Sequence, residues 1–117
     1  MEKNLVKANM IAGEDLTGKE YYCVRADGKL TTATGEACYG VISVGDASGS
    51  PTEVVTGGEY WVMLSADGDV SANDFLTAGA DGKALAATNT PGTQVDIPFG
   101  IALEDAVKST LCRVLIR

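Results

Sequence analysis

The sequence predicts an all-β protein: a small β-barrel or sandwich built from two tandem β-hairpin-rich repeats, with an extended N-terminal arm. Three observations predict it. Apolar and polar residues alternate at the two-residue period of a strand through most of the chain, and no convincing amphipathic helix stands out. Asp-Gly pairs separate short strand-like runs, a local hairpin signal because glycine accepts the positive φ of a tight turn. Short phrases also recur in the same order in the two halves.

The elements follow in order. Residues 1–11 (MEKNLVKANMI) lie outside the repeat and carry little pattern, so they are expected to form an arm that orders on a partner. Residues 21–26 (YYCVRA) alternate as a strand. Asp27-Gly28 turns the chain in a type I′ hairpin, and residues 29–32 return. The tripeptide Ala-Asp-Gly occurs three times, at residues 26–28, 66–68 and 80–82, and each is read as a hairpin turn rather than a calcium loop, because the dense carboxylate spacing of such loops is missing. Residues 39–44 form the next strand, and residues 45–51 (GDASGSP) an exposed loop. Two strand-like runs at 52–56 and 59–64 flank Gly57-Gly58 and are read as a second hairpin-like pair. At most one helical turn is expected near residues 71–75, capped by Ser71 or Asn73. The polar loop 87–94 contains Pro91-Gly92, and strand character resumes at 95–103, where Pro98 marks an edge or bulge. In the closing strand, Cys112, Val114 and Ile116 share one face, while Leu111, Arg113, Leu115 and Arg117 share the other.

The repeats span approximately residues 12–56 and 71–117, at offsets of about 54 to 60 residues, within a single domain of residues 12–117. Neither half could bury both faces of its hairpins alone, so the two should close around a shared core. Gly40 and Gly100 occupy equivalent strand positions, where a glycine signals a close backbone approach.

The chemistry is defined first by what is missing. The 117 residues contain no histidine, the commonest general base and metal ligand, so His-dependent triads and zinc sites are excluded. Nine Lys and Arg against sixteen Asp and Glu leave a charge of −7, which disfavours nucleic acid or an anionic membrane as partner. No apolar run approaches the length of a membrane-spanning helix, and no signal peptide is visible. Cys23, Cys38 and Cys112 form no metal-ligand spacing. They are expected as free, buried thiols of a protein made in a reducing cytoplasm, with a Cys23–Cys38 disulfide available in an oxidising medium. The carboxylate pairs Glu14-Asp15 and Glu104-Asp105 fall at loop-like positions, and neighbours in an extended chain point to opposite faces. They are read as solvated turn residues, so no catalytic residue, metal site or cofactor is assigned. The expectation is a protein that is not an enzyme and works by shape. The candidate interface residues are Met1, Lys3, Leu5, Val6 and Met10 of the arm, together with Tyr60 and Trp61, adjacent aromatics of which one must face outward.

The ordered phrases resemble a known family. Residues 12–17 (AGEDLT), 26–29 (ADGK) and 39–41 (YGV), then 74–77 (DFLT), 80–84 (ADGKA), 99–106 (FGIALEDA) and 113–115 (RVL), are similar to the tailed-phage capsid decoration (cement) proteins across nearly the whole chain from Ala12. The family has no catalytic motif to carry over. The resemblance implies a virion protein, synthesised in the host cytoplasm, that binds the outside of the expanded capsid. There it would stabilise the shell by bridging major capsid protein subunits, as a homotrimer. The alternative reading is a small β-barrel that binds a sugar or other small ligand through Trp61 and the tyrosines. An enzyme using the Glu104-Asp105 region is the third.

Overall fold

The long strand β4 organises the molecule. The computed structural model describes residues 3–90 and 94–117, and no helix forms among them. Ten strands follow in chain order: β1 (Lys3–Ile11), β2 (Cys23–Val24), β3 (Gly40–Val44), β4 (Pro51–Met63), β5 (Phe75–Ala78), β6 (Ala84–Ala86), β7 (Asn89–Thr90), β8 (Gln94–Val95), β9 (Pro98–Ala102) and β10 (Leu111–Ile116). Eight of them make one antiparallel sheet in the order β2-β3-β4-β10-β9-β5-β6, with β1 added along β4. A parallel bridge from Leu64 to Ala84 and a 2.7 Å hydrogen bond from the Ser65 N–H to the Ala84 carbonyl return the sheet to the end of β4, so it nearly closes into a barrel. β7 and β8 pair separately, and Pro91-Gly92, expected in the polar loop between them, lies outside the described residues.

Gly57-Gly58 does not turn the chain. β4 runs through it without a hairpin, pairing with β3 at Glu53–Val55 and then with β10 from Gly58 to Met63. Gly58 takes φ 99°, a conformation side chains with a β-carbon avoid. The irregularity shifts the alternation by one residue: Val55 faces the main core before it, and Tyr60 and Val62 face that core after it.

The same shift explains why residues 1–11 lack a visible pattern. Expected as an arm outside the repeat, residues 3–11 are extended and form a strand of the sheet, with register irregularities around Val6 opposite Gly57. Leu5 packs on the main core, whereas Ala8 and Met10 pack on a second cluster of Ala12, Leu16, Val24, Ile42 and Val54. The inward positions change parity within the strand, so no period of two survives in the sequence.

The two halves use one hydrogen-bonding scheme. The Arg25 N–H donates to the Lys29 carbonyl, and the Gly79 N–H to the Lys83 carbonyl. The Gly28 N–H donates to Arg25, and the Gly82 N–H to Gly79. Asp27 and Asp81 each accept from the backbone N–H two residues on, at 3.2 and 3.1 Å. Gly28 and Gly82 alone in these turns have positive φ, 82° and 79°. The expected type I′ geometry is therefore corrected to a type I turn followed by a left-handed glycine, because Asp27 and Asp81 carry a β-carbon and stay at negative φ. The third Ala-Asp-Gly, residues 66–68, is a turn but joins no hairpin: it leads from the end of β4 to the bridge between Val70 and Ala106. The main core draws on both halves, including Cys23, Val41 and Val55 from the first and Leu76, Phe99, Cys112, Val114 and Ile116 from the second.

Candidate interaction surface

Alternation on β10 produces two unlike faces. Cys112, Val114 and Ile116 are buried, and Leu111, Arg113 and Leu115 point outward. Antiparallel pairing carries the outward set across the sheet, because directly opposed residues share a face. Leu115 stands opposite Ile101 of β9 on one side and Glu59 of β4 on the other; Ile101 in turn stands opposite Phe75 of β5. Arg113 is opposite Trp61, and Leu111 opposite Met63. The result is an apolar outer stripe across four strands, with Phe75 56% and Leu111 38% exposed at its ends. Two charged residues, Glu59 and Arg113, interrupt it. The Arg113 Nε lies 3.4 Å from the Glu104 Oε1, while the other oxygen of Glu104 accepts the Arg113 backbone N–H at 3.1 Å. An open depression beside Phe75, Pro98 and Arg117 extends the stripe.

Placement of the candidate interface residues divides them. Trp61 is half-buried on the outer stripe, and Val6 is 58% exposed on β1. Tyr60 is only 5% exposed and packs in the core, its ring 5.6 Å from that of Tyr21, so it is removed from the interface set. Leu5 and Met10 face the two apolar clusters. Lys3 opens β1, its backbone paired with Glu59, and Met1 lies outside the described residues. Phe75 was not among the candidates. Its neighbours Leu76, Thr77 and Ala78 are all buried, and a register shift between Leu76 and Thr77 obscures the alternation that would have marked it as outward.

The aromatic residues do not converge on one cleft. Tyr22 lies beneath the ammonium groups of Lys19 and Lys83, at 5.3 and 5.7 Å from its ring centre, Phe99 is buried, and Trp61 sits on the outer stripe. The carboxylate pairs are likewise divided. Glu14 accepts the Leu30 N–H at 2.7 Å, while Asp15 accepts the Thr17 N–H at 3.0 Å; hydrogen bonding to the Thr17 side chain first, and to its backbone second, lowers the Asp15 pKa. Asp105 accepts the Ala72 N–H at 2.8 Å, and Glu104 faces Arg113. Each carboxylate holds a different segment, Glu104 the strand β10. Among the described residues, no three Cys, Asp or Glu side chains cluster in a way that could hold a metal ion.

These features define an all-β domain, nearly closed into a barrel, with one apolar outer stripe. A solved structure shares the fold: the head fiber gp8.5 N base of bacteriophage phi29 is similar at a TM-score of 0.64 and 23% sequence identity, over 97% of this chain and 94% of that chain. No protein-family model matches the chain, and no curated protein matches it in sequence.

Proposed function

We propose that this protein is a structural component of a phage head: a decoration protein that sits on the outside of the expanded capsid and stabilises it by bridging major capsid protein subunits. The observation that carries the reading is the end-to-end likeness to the base of a phage head fiber, which leaves little of either chain unmatched. The ordered decoration-protein phrases support it independently. So does the outer stripe of Phe75, Ile101, Leu115 and Trp61, an apolar surface of the kind that marks protein contacts. The protein acts by binding rather than by catalysis and needs no cofactor. A homotrimer would engage several capsid subunits at once, converting weak single contacts into avidity. Binding favours the state bound, so the expanded shell gains stability with each occupied site. Synthesis takes place in the host cytoplasm, and the working location is the virion exterior.

The test mixes purified protein with expanded heads and with unexpanded proheads of its phage and counts the copies that sediment with each. Saturable binding to expanded heads is expected, with far fewer copies on proheads. No binding to expanded heads overturns the reading.

A further inference from the structure

The three Ala-Asp-Gly tripeptides, residues 26–28, 66–68 and 80–82, are identical in sequence and unequal in the fold. An Asp-Gly pair carries a reaction of its own, because the glycine nitrogen can close a cyclic imide on the aspartate Cγ. Closure needs a released carboxyl, room for the ring and rotation of the peptide between the two residues. Two of the turns oppose it. Asp27 accepts the Lys29 N–H at 3.2 Å and pairs with the Arg25 guanidinium at 2.5 Å, and Asp81 accepts the Lys83 N–H at 3.1 Å. Gly28 packs against the backbone of Ile11 and Gly13, and Gly82 against the side chains of Leu30 and Tyr22. Cross-strand pairs clamp both turns, Val24 with Leu30 and Ala78 with Ala84. The third turn differs on every count. Asp67 is exposed, and among the described residues its carboxylate accepts no hydrogen bond; only its backbone N–H is held, by the Ser65 Oγ at 3.2 Å. Gly68 faces open space and is not left-handed. The flanks pair with different elements, Leu64 with Ala84 and Val70 with Ala106, so no ladder closes across the turn.

We propose that Asp67-Gly68 is a site of spontaneous isoaspartate formation, a modification that the fold confines to this one of its three Asp-Gly turns. The inference rests on turn geometry and is independent of the capsid reading. In its neutral acid form Asp67 is attacked at Cγ by the Gly68 nitrogen. The nitrogen loses its proton, Cγ loses its hydroxyl, and one water leaves. Water then opens the imide. Addition at the side-chain carbonyl restores aspartate. Addition at the main-chain carbonyl gives isoaspartate, in which the chain runs through the side-chain carbon and the former main-chain carbonyl becomes the carboxylate. One water leaves and one returns, so no oxidant or other reagent is consumed. β4 and the Val70–Ala106 bridge are held separately on either side, so the loop takes up the added methylene without unpairing a strand.

The experiment holds the full-length folded protein at neutral pH in water enriched in heavy oxygen. It is then digested into peptides that separate the three sites, and heavy-oxygen uptake and isoaspartate are measured in each. Both should accumulate at residue 67 at least roughly tenfold faster than at residues 27 and 81, the factor for a local opening cost of about 1.4 kcal/mol at the two clamped turns. In denaturant the three sites should react at similar rates, since all share the tripeptide. Gly68→Ala, which the open space admits, should slow the reaction at residue 67 several-fold, because a methyl group on the attacking residue hinders ring closure. Equal rates at the three sites in the folded protein, no isoaspartate at residue 67 where the denatured chain forms it, or a preference for residue 67 that persists in denaturant would overturn the proposal.

Discussion

Tyr21 and Asn73 hold the same left-handed backbone conformation, φ 73° and 76°, and make the same bond in their respective halves: the Tyr21 N–H donates to the Ile42 carbonyl, and the Asn73 N–H to the Ala102 carbonyl. A left-handed tyrosine is uncommon, since its β-carbon crowds the backbone there. The correspondence therefore reflects a shared backbone path rather than a shared residue preference. From each of these points the chain runs through an Ala-Asp-Gly turn into a strand that pairs back on it: β2 with β3, and β5 with β9. β4 and β10 then join the halves across the middle of the sheet.

The close approach of strands at the repeat-equivalent glycines gives the first prediction. A β-carbon at Gly40 would lie 2.7 Å from the Val55 carbonyl oxygen, and one at Gly100 would lie 2.6 Å from that of Leu115. Backbone cannot yield as a flexible side chain can. Gly40→Val and Gly100→Val should each cost about 2–3 kcal/mol in denaturant unfolding. Gly68→Ala, which meets open space, should stay within about 0.5 kcal/mol of the parent. Equal stability across the three would contradict the packing described.

Deleting residues 1–10 removes Leu5 from one cluster and Ala8 and Met10 from the other, and bares the edge of β4. Thermal unfolding should show a loss of about 3–5 kcal/mol. An unchanged melting temperature would mean that β1 contributes nothing to the free domain.

Acid should loosen β1 before the rest of the sheet. The Glu53 carboxylate accepts the Ser43 hydroxyl at 2.8 Å and faces the Lys7 ammonium at 3.4 Å. The Ser43 bond first, and Lys7 after it, hold its pKa below the ordinary 4.5. A carboxylate whose pKa is lowered by folding contributes stability above its unfolded value and loses it as the pH falls through the folded one. Hydrogen exchange at about pH 3, corrected for the intrinsic rate, should therefore accelerate at Lys7 and Asn9 more than at Val114. Uniform acceleration would count against this tether.

Phe75→Asp places a charge on the outer stripe without touching the core, since Phe75 is 56% exposed. The melting temperature should hardly move. Affinity for expanded heads should fall roughly 30-fold, the effect of losing one anchor of about 2 kcal/mol. Undiminished binding would move the contact surface away from this face.

How much of this the sequence discloses depends on whether alternation survives locally. β10 keeps a clean period of two, so the division of Cys112, Val114 and Ile116 from Leu111, Arg113 and Leu115 is legible from residue order alone. Pro98 correctly marks a register shift, where Thr77 pairs with it. β1 and β4 are misread because both change parity near Val6 and Gly58, and a strand that changes face midway resembles an arm or two strands and a turn. The outer stripe is legible only in part: adjacency shows that one of Tyr60 and Trp61 faces outward but not which, and Phe75 joins the stripe through pairing with Ile101, a contact that no local pattern encodes.

The central claim concerns where the protein works, and an image of the particle tests it most directly. Electron cryomicroscopy of expanded heads assembled with and without the protein should reveal added density on the outer surface that fits this β-domain, with its outer stripe turned toward neighbouring subunits. Heads that look identical in the two preparations, under conditions where the protein is present in excess, would contradict it.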